Sequence, residues 1–443
     1  MIGIALFALA AAAPLSLEAV LGAVDARVPE LAAAEARLDE AQAKLLTSRG
    51  ALDPALSGKL STYSGKDPRR VVDTSVRLPT AWGPEVQLGW ALGQGSFPAY
   101  DADRQTGALG ELQLRVELPL LDGLGLSEER AAVLVSSAGV RLQEARLADE
   151  ALRLRNEATR AYWRWASAGA RLQIERALLE VATSRGEALL REVELGARAR
   201  LGWLDNERAR LERLDAVAQA EQELATSALA LSLWYRDASG RPLVPEPDAL
   251  PPLRPLPRPL PPLEQDLAQA PARPDVQAVD ALLEAAGIQQ RRAGGRLLPD
   301  VSLYAAWHEP ASPDGYREQV AGASLELSAP ARRERGARAQ AQAVVSGLQA
   351  RRRGALDAAY AELSAARLAT ETAWQRVLWT QEASERAAEV VALERRRLQL
   401  GGVAVFQLLS REANLARAQG SAVEAIVDHE LALAARRRAL GAR

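Results

Sequence analysis

Most of the chain repeats apolar residues at the spacing of an α-helix, and two regions instead alternate apolar and polar residues. The helical spacing predicts helices over residues 15–50, 127–195, 201–236, 263–296, 331–400 and 403–441. The alternation predicts strands within residues 54–118 and 297–328. The order short helix, strands, long helix, short helix therefore occurs twice. At 1.5 Å per residue, each long helix reaches on the order of 100 Å, about the combined length of two short helices.

Pairs of similar landmarks in the same order indicate an internal duplication. The landmarks are Pro29 and Pro274, Pro54 and Pro299, residues 116–118 and 325–327, and the Leu-Gly pairs at 195–196 and 400–401. The proline pairs are 245 residues apart, whereas the later pairs are 209 and 205 apart. The first strand region therefore contains about 36 residues that the second lacks.

The duplication divides the chain into two repeats joined by a proline-rich linker. The first repeat is predicted to span residues 14–240, the linker residues 241–262 and the second repeat residues 263–443. Ten prolines lie between Pro242 and Pro262. Proline at this density prevents helix formation and favours an extended strap.

The two strand regions predict at least four strands, each with one apolar and one polar face. The extra residues of the first region accommodate a further hairpin near residues 71–78 and 85–91, which either joins the sheet or stands outside it. The strand regions hold eight of the 19 aromatic residues. Aromatic residues in amphipathic strands are typical of the interfacial girdle of an outer-membrane barrel. The alternative is a small soluble sheet with an aromatic core.

Composition argues against chemistry at a catalytic, cofactor or metal site, and none is predicted. Cysteine is absent, and the two histidines, His308 and His429, are far apart in the chain. The net charge of −2 gives no basic field for nucleic acid. His308 is expected to be exposed in a hairpin tip. His429 is expected on a solvated helix face or at a contact between helices.

The first 13 residues form an apolar run that is too short to span a bilayer as a helix. Small residues at Ala11 and Ala13 suit a signal-peptidase site, so residues 1–13 are predicted to be a signal peptide. The alternative is a buried N-terminal helix. The sequence predicts no transmembrane helix elsewhere.

Several of these segments resemble the TolC family of outer-membrane efflux proteins. The resemblance rests on the proline pairs, on the junction Leu118-Pro119-Leu120-Leu121-Asp122-Gly123, and on the Leu-Gly turns, the second of which continues from Gly402 to Ser410. The order of these motifs and their duplication make it specific. It implies a mainly α-helical fold with a β-barrel sector, in which three chains form a helical periplasmic tunnel under a shared barrel.

The resemblance also implies a function and a set of partners. The chain would be the passive exit duct of a tripartite efflux pump or a type I secretion system, in the outer membrane of a Gram-negative bacterium. It would form a homotrimer, contact outer-membrane lipid, and dock a periplasmic membrane-fusion adaptor and an inner-membrane RND or ABC-type pump. The implied periplasmic entrance comprises Leu195, Gly196, Leu400, Gly401, Gly402, Gln407 and Ser410.

The chain departs from the family at the entrance. Several family members carry two acidic residues, one helical turn apart, at the positions of Gln407 and Ser410 here. Glu412 is the nearest acidic residue, and Asp205 of the first repeat aligns with Ser410. A strongly cation-selective ring is therefore not expected. From the residues alone, the alternative to a duct is a soluble or periplasmic helical scaffold without a pore.

Overall fold

The computed structural model describes residues 14–80, 83–121, 126–197, 199–255, 257–313, 317–327, 329–400 and 405–442. The helices are α1 (Leu17–Arg27), α2 (Pro29–Gly50), α3 (Glu128–Glu194), α4 (Arg200–Ser232), α5 (Leu263–Leu267), α6 (Pro274–Gly295), α7 (Arg332–Gln399) and α8 (Val405–Ala439). The strands are β1 (Ala55–Tyr63), β2 (Arg69–Pro79), β3 (Glu85–Gly95), β4 (Glu111–Pro119), β5 (Asp300–Pro310) and β6 (Glu318–Glu326). The predicted signal peptide, Asp122-Gly123 and the pair Gly401-Gly402 lie outside the described residues.

The chain divides into two compact units. The helical unit comprises the residues up to Glu35, Leu147–Pro274 and the residues from Leu356 onward. The sheet unit comprises Ala36–Arg146 and Asp275–Ala355. Each unit draws on both repeats, so the duplicated sequence folds into shared units and not into two separate halves.

Proline sets the start of two helices where a longer helix was predicted. The expected helix over residues 15–50 is divided at Val28, which is extended (φ −79°, ψ 125°), and α2 begins at Pro29. The expected helix over residues 263–296 is likewise divided, and α6 begins at Pro274. A proline disfavours helical backbone in the residue before it, yet suits the first helical position, where no N–H is needed.

The core of the helical unit lies where α1, α3 and α4 pack together. Its largest fully buried side chain is Trp165 of α3, and Leu154, Val24 and Leu231 are buried in the same cluster. Alanines on α3 and α4 are buried in the same cluster, including Ala158 and Ala228. Because alanine has the smallest side chain that favours a helix, these positions allow the helices to approach closely.

The proline-rich linker packs against the helical unit instead of standing free. The side chain of Leu250 fills the space beside Gly169 of α3, where any Cβ would lie 2.3 Å from it. Leu253 packs against the cluster of Val377 on α7 and Ala425 on α8. The strap therefore contacts helices of both repeats.

The sheet unit contains one antiparallel sheet in the order β1-β2-β3-β4-β5-β6. Of the two alternatives for the further hairpin near residues 71–78 and 85–91, the structure has the one in which it joins the sheet, as β2 and β3. The repeats meet at β4 and β5, which pair from Glu111 with Pro310 to Pro119 with Ser302. No helix among the described residues is both long enough and apolar enough to cross a lipid bilayer.

Candidate functional site

The register of the six strands places most apolar side chains on one side of the sheet and most polar side chains on the other. Residues paired directly in neighbouring strands point to the same side. One side, the apolar face, carries Leu56, Leu60, Val72, Val76, Leu88, Trp90, Leu92, Leu112, Leu114, Val116, Leu118, Val301, Leu303, Ala305, Trp307, Ala321, Ala323 and Leu325. The other side, the polar face, carries Ser57, Lys59, Asp73, Ser75, Arg77, Gln87, Glu111, Gln113, Arg115, Glu117, Ser302, Tyr304, His308, Glu318, Ser324 and Glu326.

The apolar face is open to its surroundings. Leu56 is 81% exposed, Leu325 is 70% exposed and Leu112 is 57% exposed. A water-soluble sheet would bury such a face against another layer. An apolar face of this size that covers six strands is typical of a surface that contacts lipid or another protein.

The aromatic residues of the strands lie on both faces of the sheet. Fewer of them can therefore belong to the predicted girdle. Trp90 and Trp307 lie on the apolar face, whereas Tyr63 and Tyr304 lie on the polar face. The ring of Tyr304 lies 5.0 Å from the guanidinium of Arg115. Among the described strand residues, only the tryptophans lie on the apolar face, where the predicted girdle requires aromatic residues.

Polar side chains pair across strands on the polar face. The hydroxyls of Ser57 and Ser75 are 2.9 Å apart, and those of Ser302 and Ser324 are 2.6 Å apart. His308 lies within β5 and not in a hairpin tip as expected, and its Nδ1 is 3.4 Å from Glu111 Oε1. The expectation of a tip was wrong because β5 extends to Pro310.

The sheet has two unpaired edges. Among the described residues, β1 pairs only with β2, and β6 pairs only with β5. The two edge strands run in opposite directions, since the order contains an even number of alternating strands. Unpaired backbone N–H and C=O groups are costly in lipid, so this sheet needs partners along both edges if its apolar face contacts a membrane.

At the predicted periplasmic entrance, the turn between α3 and α4 forms a defined C-terminal cap of α3. Gly196 has a φ of +71°, the Gly196 N–H donates to Val193 O, and the Ala197 N–H donates to Glu192 O. This is a Schellman motif, which requires the left-handed backbone that glycine adopts without strain. Leu195, just before the glycine, is 84% exposed.

The corresponding region of the second repeat is described up to Leu400 and again from Val405. Leu400 is 79% exposed after the last residue of α7, and Phe406 is 60% exposed in the first turn of α8. Gln407 and Ser410 are exposed on α8, whereas Val405 and Leu408 are buried. The helices that follow the two turns, α4 and α8, contact each other, since a Cβ on Gly202 would lie 3.4 Å from Val405 Cγ2.

A polar cluster close to these helix ends connects α3, α4, α7 and α8, and we call it the tip cluster. It consists of Arg185 on α3, Asn206 on α4, Arg395 on α7 and Glu412 on α8. Three of its members are largely buried, and the fourth, Arg395, is 43% exposed. The carboxylate of Glu412 accepts from Arg185 and, at 3.1 Å, from Arg395. The amide of Asn206 donates to Ala182 O at 2.8 Å and accepts from Arg185 at 3.4 Å.

The tip cluster was not predicted from the sequence. Glu412 was noted only as an acid near the entrance, and the side chains of Glu412 and Arg185 are just 7% and 11% exposed. Asn206 could have been recognised from the sequence, because it is a polar residue on the apolar side of its helix pattern. It is fully buried. The other members could not be identified, because arginine and glutamate are common on every helix of the chain.

The remaining candidate residues lie in packing positions. His429 is 2% exposed at a contact between helices, with its ring centroid 5.1 Å from that of Trp374. Of the two expectations for this histidine, the helix contact is the one observed. In the part of the chain that the structure describes, no three His, Asp or Glu side chains are arranged to hold a metal ion.

Comparison with known proteins identifies the fold. No protein-family model matches the chain, and no curated protein matches it. Among solved structures, the outer membrane protein VceC of Vibrio cholerae matches with a TM-score of 0.67 and 19% identity, over 96% of each chain. The MtrE outer membrane channel of Neisseria gonorrhoeae in its open state matches with a TM-score of 0.68 and 18% identity, over 96% of this chain and 89% of that one. A membrane protein from Pseudomonas aeruginosa matches with a TM-score of 0.70 and 15% identity, over 96% and 93%. The chain has the fold of these proteins, which confirms the predicted TolC-like fold class.

Proposed function

We propose that this chain, which has the fold of outer-membrane channels, is the outer-membrane exit duct of a tripartite efflux pump or a type I secretion system. The observation that carries the proposal is the six-stranded sheet with one exposed apolar face, one polar face and two unpaired edges. A duct of this kind has no chemistry of its own. It provides a water-filled path, and an inner-membrane partner supplies the energy.

The sheet suits one sector of a barrel built from several copies of the chain. Because β1 and β6 run in opposite directions, β6 of one copy and β1 of the next pair antiparallel all the way around a ring. Three copies, as the resemblance to the TolC family implies, supply eighteen strands. A barrel of that size leaves an aqueous channel lined by the polar face.

The tips of the helical unit are the proposed periplasmic entrance and adaptor-docking site. Large apolar side chains are exposed at both turns: Leu195, Leu201, Leu400 and Phe406. Exposed apolar residues concentrated at one place mark protein-interaction surfaces. The partner that the resemblance implies there is a periplasmic membrane-fusion adaptor, followed by an RND or ABC-type pump.

Gln407 and Ser410 are proposed to line the entrance with neutral groups. Both are exposed on the first turns of α8. Replacing Gln407 by Asp would add one negative charge per copy close to the axis. We expect Gln407→Asp to increase the preference for cations, measured as a reversal-potential shift in a salt gradient. An unchanged reversal potential would place Gln407 outside the conducting path.

The proposal is tested by recording single channels from the detergent-purified, full-length protein in a planar bilayer, with its mass measured by light scattering. A trimer that forms stable pores and fractionates with the outer membrane is the expected result. A water-soluble monomer or dimer without conductance would overturn the proposal. It would favour the alternative, a helical scaffold without a pore.

A further inference from the structure

The connection between β3 and β4, residues 96–110, does not extend away from the sheet but folds back onto it. We call this segment the inward loop; it contains a short 3₁₀ helix, Ala99–Arg104. Thr106 is bonded to Gly93 twice, through its N–H to Gly93 O at 3.1 Å and through its hydroxyl, which accepts from the Gly93 N–H at 3.0 Å. The loop therefore covers the end of β3 and is held there by backbone contacts.

The part of the inward loop around Arg104 lies over the polar face of the sheet. Gly93 pairs with Val71, which pairs with Ser61, and this row shares its side with Lys59 and Asp73. A Cβ on Gly93 would lie 1.8 Å from Arg104 O, so the loop passes directly over this position. Glycine is required here because no side chain fits beneath the loop. Val71 is only 3% exposed, although it points to the polar side.

An ion pair with aromatic contacts anchors the loop to β2. Arg69 Nε donates to Asp101 Oδ2 at 3.0 Å, and the two side chains are 11% and 20% exposed. The Arg69 guanidinium lies 3.9 Å from the ring centroid of Tyr63 and 5.8 Å from that of Phe97. Because Arg69 is enclosed by an acid and two rings, it holds the loop in one position instead of pairing loosely at the surface.

The loop lies at the end of the strands that is remote from the helices. Strand β1 follows α2 and strand β4 leads to α3, so the helices enter and leave the sheet at the opposite end. In the proposed duct, the helices lie in the periplasm and the polar face lines the lumen. The inward loop is then at the extracellular mouth, inside the barrel.

From these contacts we infer that the inward loop is a constriction that narrows the extracellular mouth of the duct and helps to set which cargo passes. This inference rests on the proposed function. Three copies would place three loops inside the barrel, each with exposed Asp103 and Arg104 side chains. A barrel with six strands per copy is wide. The loops inside it would therefore determine the size of the opening.

The first test compares the conductance of the full-length protein with that of a variant in which residues 97–108 are replaced by Gly-Asn-Gly. Removing the loop is expected to raise single-channel conductance roughly twofold or more, because a barrel of this strand number is otherwise open. Pores of equal conductance in both proteins would overturn the inference while leaving the duct proposal intact. Absence of pores from the unchanged protein would instead overturn the duct proposal.

The second test does not depend on a large deletion. The natural chain has no cysteine, so Val71→Cys creates a single thiol beneath the loop, and Ser75→Cys creates a matched thiol on the same strand and face beyond it. In intact cells, a membrane-impermeant maleimide is expected to label Cys at position 71 on the order of tenfold more slowly than at position 75. Equal labelling rates would overturn the inference.

The anchor is tested in the same background. Arg69→Gln with Asp101→Asn should accelerate labelling at position 71, because the loop loses its ion pair. Arg77→Gln with Glu85→Gln removes a matched pair at the other end of β2, where Arg77 lies 3.4 Å from Glu85, and should not change that rate. Acceleration by the control pair as large as by the anchor pair would overturn the role of Arg69 and Asp101.

Discussion

Glu412 shows how one buried side chain can connect the helices at the tip. A carboxylate that is 7% exposed is costly to bury unless its charge is balanced, and here Arg185 and Arg395 approach it from two different helices. Its position on α8 joins the second-repeat tip to α3 of the first repeat. If the duct opens by separation of helix pairs, this is the contact that must break.

We expect Glu412→Gln to destabilise the contact of α8 with α3 and α7 at the tip. The amide keeps the size of the side chain but leaves Arg185 buried without a charged partner, and breaking a buried ion pair in this way costs about 3–5 kcal/mol. Thermal unfolding in detergent should shift to lower temperature, and open probability in bilayers should rise. The control is Glu424→Gln, also on α8, which breaks the exposed pair with Arg171 and should change stability by about 0–1 kcal/mol. Equal effects of both variants would argue against a special role for Glu412.

His429 gives the helical unit a pH dependence whose sign follows from burial. Burial lowers the pKa of His429, and the nearby positive charge of Arg258 lowers this pKa further. Below the unfolded value of about 6.5, the unfolded chain binds a proton that the folded chain does not. Stability is therefore lost as pH falls through about 6.5 towards the folded pKa. Burial raises the pKa of the adjacent Glu430, whose contribution has the opposite slope.

His429 and Glu430 change stability with pH in opposite directions. The contribution of His429 is therefore measured as the difference in stability between a His429 variant and the natural protein. We expect His429→Phe, which retains an aromatic ring beside Trp374, to lose less stability than the natural protein between pH 7 and pH 5.5. The gap between the two curves should grow by up to about 1.4 kcal/mol per pH unit within the window. Parallel curves, obtained from melting temperatures at each pH, would show that His429 titrates normally in the folded state.

At the scale of the element, the effect of a substitution in the sheet depends on the face that the residue occupies. Leu114 and Gln113 are neighbours on β4, yet Leu114 lies on the apolar face with Trp307 and Gln113 on the polar face with His308. A charge on a lipid-facing strand position costs about 2–4 kcal/mol at the centre of the bilayer, whereas a charge in the lumen costs little.

We therefore expect Leu114→Arg to reduce the amount of assembled protein in the outer membrane, and Gln113→Arg to leave it nearly unchanged. The measurement is the fraction of heat-modifiable oligomer in outer-membrane preparations. The reverse order would assign the faces the other way round, with lipid on the side of His308.

The sequence predicted the order of the elements and the positions of all six strands, but it left open whether β2 and β3 join the sheet. Apolar and polar residues alternate regularly in β4 and β5, from Leu112 and from Val301 onward. These strands could therefore be recognised from the sequence. In β2 and β3 the pattern is interrupted by Val71 and by Gly89 and Gly93. Val71 is apolar on the polar face because the inward loop covers it, a contact between distant segments that local alternation does not encode.

In the tip region, too, features with a local cause could be predicted, and features that depend on long-range packing could not. Gly196 could be predicted because a helix end with a left-handed residue is encoded locally by glycine. The tip cluster could not, because it depends on how α3, α4, α7 and α8 are rotated about their axes when they pack. The breaks at Val28 and before Pro274 were missed because apolar spacing continues across them, although the following prolines were already noted as landmarks.

For the whole molecule, the proposed duct places a specific demand on the edges of the sheet. Edge strands of opposite direction allow β6 of one copy to pair antiparallel with β1 of the next. This contact would be heterologous, and a heterologous contact that closes generates a ring. In the proposed duct, the number of copies would be the number needed to complete the barrel, and the helical tunnel would follow the same symmetry.

Edge pairing can be detected directly because the natural chain contains no cysteine. We expect Ser57→Cys on β1 combined with Ser324→Cys on β6, treated with a short bis-maleimide, to give dimers and trimers on a denaturing gel. Each single variant alone should remain monomeric or give at most traces of dimer. The matched control combines Ser75→Cys with Ser324→Cys. Ser75 lies on the same face of the adjacent strand β2, which is already paired on both sides, and this combination should give no trimer. A trimer as the largest product would fix the ring at three copies and eighteen strands. Crosslinking that continues to higher oligomers would mean that the edges join in an open chain, which excludes a closed barrel.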